Sequence, residues 1–173
     1  MIEHEFLFLG LLKAGPKHGY EVKRIIEEEL QPLLGLKIKS IYYPLKQMEK
    51  YGLISKETDR SGNFPEKYVY TLTAQGAKVF DRQVTESFLT VERPYFNIDL
   101  SLYFLQYVDK KTAQRKLRGR TLVLKRIRTE LLKLSNAVSS SRKYLQIILT
   151  HDLDLVEAEI NFISRLMKSL NNA

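Results

Sequence analysis

The chain has 173 residues, with 44% hydrophobic and 28% charged side chains, a formal net charge of +8 and a mean hydropathy of -0.26. Those values suit one compact soluble domain or two small ones and exclude a fibre or a disordered tail. With no cysteine present, disulfides, thiolate zinc sites and cysteine nucleophiles are excluded as well.

Ile2, Phe6, Leu9 and Leu12 recur at spacings of three and four, which predicts a helix with one buried face, closed by Gly15-Pro16. A second helix is expected from Gly19 to Leu30, burying Val22, Ile25 or Ile26, and Leu30, before Pro32 and Gly35 break the chain. A third is expected over Ser40–Tyr51 with Ile41, Leu45 and Met48 inward, stopping at Gly52. Two β-prone runs, 53–58 and 67–72, flank the turn-rich stretch 59–65 and read as a hairpin with a long tip. Three helices followed by that hairpin make a winged helix-turn-helix. Thr73 is placed to cap a fourth helix running to about Glu92, with Ala77, Phe80, Val84 and Val91 inward.

The rest reads as all helix, roughly 98–108, 111–139 and 151–171. Leu117, Leu124, Leu131 and Val138 recur every seven residues, with Ile127 and Leu134 three residues after two of them. Leu153, Val156, Ile160, Ile163, Met167 and Leu170 form a second stripe, and both suit antiparallel helix packing or a coiled-coil seam. Asp152, Asp154, Glu157 and Glu159 come first in that last helix, as its dipole prefers. The fold class is therefore mainly α: a winged helix-turn-helix over 1–92, joined by a long helix to an all-α domain over 93–173.

Charge is unevenly spread. Residues 1–92 hold 13 basic and 13 acidic side chains, whereas Lys110–Lys143 hold 12 basic ones against Glu130 alone. Three readings of that basic stretch stay open: a solvated helix face, a partner for the acids at 152–159, or a stripe against DNA. Pattern, more than total charge, locates a polyanion site. Burying Ile41, Leu45 and Met48 turns Tyr43, Lys46, Gln47 and Lys50 outward, with Tyr42 on the flank. Lys suits phosphate or guanine, Gln suits adenine and tyrosine hydroxyls suit phosphate oxygens. Lys37 and Lys39 precede this helix, and Asn63 and Lys67 lie near the hairpin tip. An ordinary solvated polar face is the plain alternative. His18-Gly19-Tyr20 opens the second helix, where free N–H groups favour an anion such as a DNA phosphate; a capping or surface histidine is the competing reading.

At these residues the chain resembles the PadR family of bacterial transcriptional regulators. The matching stretches are FLFLGLLKAGPKHGYEV (6–22), SIYYPLKQMEKYGLI (40–54) and KYVYTLTAQGAKVF (67–80). The remainder resembles the longer helical C-terminal domain of the virulence-activator type, ending in VEAEINFISRLM (156–167). The resemblance implies a homodimer joined through its C-terminal helices, two recognition helices on a palindromic operator, and repression relieved by a small aromatic effector. It places Tyr20, Ser40, Tyr42 and Lys67 near DNA, and it assigns dimerisation to Leu117, Leu124, Leu131, Val138, Val156, Ile160, Ile163, Met167 and Leu170. The family usually has Pro directly after S-I-Y; here Tyr43 intervenes before Pro44, which predicts a rotated or tightened helix start.

Catalysis is not expected. Asp152 and Asp154 are two apart on a helix and point different ways, and no Gly-rich phosphate loop occurs. His4, His18 and His151 are too scattered for a helical metal site, so neither metal nor cofactor is expected. No apolar run approaches the roughly 20 residues that span a bilayer, and the acidic start MIEHEFLFLG lacks the basic flank of a secretory signal. A cytoplasmic protein without a membrane partner is the expectation. Phe88, Tyr95, Phe96, Tyr103, Phe104 and Tyr107 crowd the junction of the halves, as an effector cleft or as interdomain and dimer core. Against the regulator stands a winged-helix module for protein interaction or assembly.

Overall fold

A computed structural model describes residues 2–34, 38, 40–59, 67–91, 97–139 and 141–172. The chain forms two compact units, Met1–Arg93 and Pro94–Ala173.

The first unit runs α1 (Ile2–Lys13), β1 (Lys17–His18), α2 (Gly19–Arg24), a π-helical stretch Ile25–Leu30, α3 (Gln31–Leu34), α4 (Tyr42–Lys50), β2 (Ile54–Asp59), β3 (Lys67–Leu72) and α5 (Ala74–Ser87). Its core joins Phe8, Leu9 and Leu12 of α1 to Val22, Ile26, Ile41, Leu45, Met48, Leu53, Ile54 and Tyr70. The expected stripe of α1 holds at Leu9 and Leu12, while Phe8 is also fully buried. Phe6 stacks on Phe80 of α5, ring centroids 5.4 Å apart.

The second helix departs from its expected form. At Ile25 it widens to π geometry, its Gln31 N–H reaching back to the Ile26 carbonyl, and Ile26 is the buried isoleucine of the pair. Helical backbone continues across Pro32 to Leu34, directly after the π stretch, although proline there supplies no N–H for a helical bond. Helix α4 starts two residues later than expected, at Tyr42, and Pro44 sits within its first turn, where the N–H that proline lacks need not be paired. Its end is a Schellman turn. Gly52 adopts φ +68° and donates to the Glu49 carbonyl (3.0 Å), and Leu53 donates to Met48 (2.9 Å).

Strands β2 and β3 pair antiparallel from Ile54↔Leu72 to Asp59↔Lys67, as the hairpin reading requires. On the other edge of β3 lies β1, with Lys17↔Tyr70 and His18↔Val69, an unforeseen strand that sets the order β1-β3-β2. Where the hairpin meets α4 and α5, Thr73 binds in three directions. Its N–H reaches the Leu53 carbonyl (3.1 Å), its hydroxyl donates toward Gly52 (2.7 Å) and Leu53 (3.0 Å), and its oxygen caps α5 by accepting from Gly76 N–H (3.0 Å). A Cβ on Gly76 would collide with the Leu53 carbonyl. Helix α5 ends at Ser87, short of Glu92; Ala77, Phe80 and Val84 are half-buried, but Val91 lies past the helix, 89% exposed.

The second unit comprises α6 (Asn97–Tyr103), a 3-10 turn (Leu105–Tyr107), α7 (Lys110–Ala137) and α8 (Lys143–Asn172). Helices α7 and α8 lie antiparallel: Gln114 bonds Asn171 at one end (2.6 Å), and Ser135 bonds Gln146 at the other (3.2 Å). Ile98, Leu117 and Ile163 are buried, with Leu102, Leu124, Met167 and Leu170 packed against them. Ile127, expected in the seam, is 44% exposed. The last helix begins eight residues before the expected 151, so its acids do not occupy the first turn. Instead Glu159 pairs with Arg120 and Glu157 with Arg128, each at 2.8 Å across the seam. Cation pairing, not the helix dipole, accounts for those two acids.

Two outcomes are expected in urea denaturation. Gly76→Ala lowers stability by about 2–3 kcal/mol, since a backbone carbonyl must yield, whereas Thr73→Ala costs about 1 kcal/mol through removal of the cap. At the start of α7, the Thr112 N–H bound to Asp109 (2.9 Å), aided by its hydroxyl, holds the Asp109 carboxyl below its usual value. A lowered value contributes stability above the ordinary carboxylate range and loses it as pH falls through the folded value. The stability gap between the native chain and Asp109→Asn therefore narrows on acidification.

Candidate nucleic-acid interface

Four elements of the first unit, β1, α2, α4 and β3, meet around a recess of about 170 Å³ lined by His18, Gly19, Tyr20, Tyr42, Lys67, Tyr68 and Tyr70. Pairing of β1 with β3 carries the start of α2 to the wing, and alternation along β3 puts Tyr68 and Tyr70 on one face. Gly19 leaves room for two rings: a Cβ there would stand 3.4 Å from Tyr42 and 3.5 Å from Tyr70. The His18 and Tyr20 rings stack at 5.3 Å, with the Lys67 ammonium 5.8 Å over Tyr20 and the Lys56 ammonium 3.6 Å over Tyr68. Burial, and then the nearby Glu49, Tyr42 and Tyr68, raise the Tyr70 phenol above its usual value. That ring stays a neutral hydrogen-bond donor. The recess thus combines phenol donors with ammonium groups, the chemistry that binds phosphate oxygens.

Beside it, α4 presents Tyr42 and Tyr43, 61% and 69% exposed, together with exposed Lys46 and Lys50. Gln47, expected outward, is half-buried, and Ser40 is exposed ahead of the helix. At the start of α2, the Glu21 carboxylate accepts from His18 N–H (2.7 Å). The chain therefore supplies part of the negative charge that this helix start attracts. Lys37, Lys39 and Asn63 lie outside the described residues. Lys56, Tyr68 and Tyr70 join the site only in the fold; the alternation of tyrosines along 67–72 is the signal in the sequence that could have found two of them.

In the second unit, five of the residues expected at a dimer interface, Leu117, Leu124, Ile163, Met167 and Leu170, pack together within one chain. Leu117 and Ile163 are buried, while Leu124, Leu131, Val138, Val156, Ile160, Met167 and Leu170 are half-buried. The apolar side chains left open are others, among them Leu122, Val123, Ile147 and Leu155, each more than half exposed. Of the aromatic set, Phe88 belongs to the first unit and is 82% exposed. In the second, Tyr103 meets Phe104 edge-on at 5.0 Å, and Phe104 lies 6.4 Å from Tyr107. Tyr95 and Phe96 lie outside the described residues. Among the described residues no cluster of His, Asp and Glu suits a metal ion, and no helix is long and apolar enough to cross a membrane.

Residues 8–82 match the model of the Transcriptional regulator PadR-like family. Over 72 residues the chain is 36% identical to the Negative transcriptional regulator PadR of Bacillus subtilis (strain 168), an alignment that spans 42% of this chain and 40% of that protein. Among solved structures, Bacillus subtilis PadR in complex with operator DNA superposes with a TM-score of 0.74 at 24% identity, over 96% of this chain and 98% of that one. The same regulator in complex with p-coumaric acid gives 0.73 at 22%, with the same two shares. The Vibrio cholerae virulence activator AphA gives 0.73 at 12%, covering 98% of each chain. At these identities the structural likeness carries the fold, and the sequence match likens residues 8–82 to the family. Residues 8–82 thus carry a domain similar to that of the PadR-like family of transcriptional regulators.

Proposed function

We propose that the protein is a sequence-specific DNA-binding repressor that acts in the cytoplasm as a homodimer on a palindromic operator. The observation that carries this reading is the meeting of Tyr20, Tyr42 and Lys67 at one recess beside the open face of α4. In that arrangement α4 enters the major groove, where Lys46 and Gln47 reach base edges and Tyr43 and Lys50 flank them. Tyr20, Tyr42, Lys67 and Tyr68 hold the phosphate strand alongside, which fixes register without reading sequence. Lys37, Lys39, Ser40 and Asn63 extend the same surface in sequence, and His18 braces Tyr20 by stacking. Support comes from the relative described as a negative regulator and from its structure on operator DNA.

Dimerisation belongs to the second unit. Because Leu117, Leu124, Ile163, Met167 and Leu170 pack together within one chain, a partner chain is met by the open side chains Val123, Ile147 and Leu155 as well as by the half-buried edges of the two stripes. A small aromatic effector relieves repression; the B. subtilis relative has been solved with p-coumaric acid, and Tyr103, Phe104 and Tyr107 of the second unit are the neighbouring rings offered to such a ligand.

Gel shifts against the chain's own upstream DNA at two salt concentrations test the regulator. Lys46→Ala with Gln47→Ala is expected to cost about 1–3 kcal/mol for each base no longer read, so that operator binding falls towards the level of random DNA. Tyr20→Phe weakens operator and random DNA alike, by about 3- to 10-fold for removal of one phosphate hydrogen bond. Sedimentation equilibrium is expected to give a dimer. A monomer, or binding that ignores sequence in the native chain, removes the operator model in favour of an assembly module.

A further inference from the structure

The formal charge of the two units differs sharply. The first holds 14 basic and 13 acidic residues; the second holds 14 and 7. Its seam uses part of the excess, since Arg120 and Arg128 pair with Glu159 and Glu157 on α8, and Lys133 pairs with Glu130 along the helix. Seven cations of α7 are left, of which Lys111, Arg115, Arg118, Lys125 and Arg126 share one face. All five are exposed. At about 100° per residue they fall within an arc of roughly 100° on α7, facing away from Leu117 and Leu124 in the seam. Arg115 also acts on the Asp109 carboxylate at the helix start, and the Lys111 backbone N–H bonds to it; the side chains of Lys111, Arg118, Lys125 and Arg126 make no ion pair with a carboxylate among the described residues. From Lys111 to Arg126 the stripe is about 22 Å long, at 1.5 Å per residue.

We infer that this outward face of α7 is a second site for duplex DNA, one that binds phosphates without reading sequence. Charge complementarity selects the partner. A duplex presents one negative charge per roughly 1.7 Å of its axis, so a straight row of cations engages several phosphates at once. An acidic protein surface fits less well, because protein interfaces have desolvated, largely uncharged centres, and this face offers Leu122 as its apolar member. A membrane surface fits poorly too: interfacial helices insert an apolar face, and on this side of α7 Leu122 is the large apolar side chain standing among the five cations. The first unit, nearly neutral, reads sequence; the second adds the salt-dependent affinity with which a regulator finds and scans DNA. The inference rests on the DNA-binding reading above.

The test replaces Lys111, Arg115, Arg118, Lys125 and Arg126 together by Gln in the full chain, with circular dichroism and sedimentation checking fold and assembly. Binding to a random-sequence duplex and to the operator is then measured from low to moderate salt. Removing one cation from a phosphate flattens the dependence of log affinity on log salt by about 0.9. The expected change is a slope shallower by about 3 to 5, with the ratio of operator to random affinity little altered. Lys46→Ala with Gln47→Ala is expected to do the reverse, collapsing that ratio while leaving most of the slope. If the variant with all five changes misfolds, Lys125→Gln with Arg126→Gln alone should still flatten the slope by nearly 2. An unchanged slope overturns the inference and leaves the regulator standing, as does an unchanged slope with weakened binding to anionic vesicles or an acidic protein. A native chain that binds no duplex overturns the DNA-binding reading itself.

Discussion

The backbone carbonyl of Leu53 is where four elements of the first unit are fastened together. It follows the Schellman turn that ends α4, it opens β2, it accepts the Thr73 N–H that ends β3, and it lies against Gly76 in the first turn of α5. Thr73 completes the junction, because one side-chain oxygen donates toward the α4–β2 turn and accepts from the first turn of α5. A left-handed residue is required at Gly52 to let Leu53 reach back to Met48. With these bonds made, the angle between α4 and the wing is not free to vary. The recess beside α4 depends on that angle, since its walls are Tyr42 at the start of the helix and Tyr68 and Tyr70 on the wing.

Aromatic side chains give that recess its character. The rings of His18, Tyr20, Tyr42, Tyr68 and Tyr70 build its walls, while the tyrosine hydroxyls and the ammonium groups of Lys56 and Lys67 supply its donors. Aromatic faces hold the flexible lysine stems in place, so less side-chain freedom is given up when a phosphate arrives. The second unit solves a different problem. Its long helices bury a narrow apolar seam and lock it with Arg120–Glu159 and Arg128–Glu157. Those half-exposed pairs favour one register of the antiparallel pair more than they add stability. What remains outside the seam is cationic on one side of α7 and apolar at Leu122, Val123, Ile147 and Leu155, surfaces that stay unsatisfied in a single chain.

Much of this is legible without the fold. Three-and-four spacing locates α1, α4 and α5, because a helix at the edge of a small core must repeat its apolar residues every turn. Gly52 and Thr73 mark helix ends for local reasons, left-handed backbone in one case and an N-terminal oxygen in the other. Other features leave little local trace. Strand β1 is two residues long and exists only because β3 offers it a free edge, and the π geometry at Ile25 breaks the very period by which helices are recognised. Leu145, Ile148 and Leu149 carry the stripe of the last helix back toward Lys143, so its start is legible in the sequence, and reading the stripe only from Leu153 is what makes the acids at 157 and 159 look like a helix beginning.

By itself, then, the sequence determined the kind of chain this is: mainly helical, winged, free of cysteine chemistry, with its net positive charge in the second half. Such properties are sums and local periodicities, which no tertiary packing can change. Tertiary structure alone decided which side chains meet. It brought Tyr68 and Tyr70 beside Tyr42 across more than twenty residues of chain, turned Gln47 half inward, and matched Glu157 and Glu159 to two particular arginines out of the basic run. The physical reason is that meetings between distant segments depend on angles and registers set by packing, and a linear pattern records only which face is apolar.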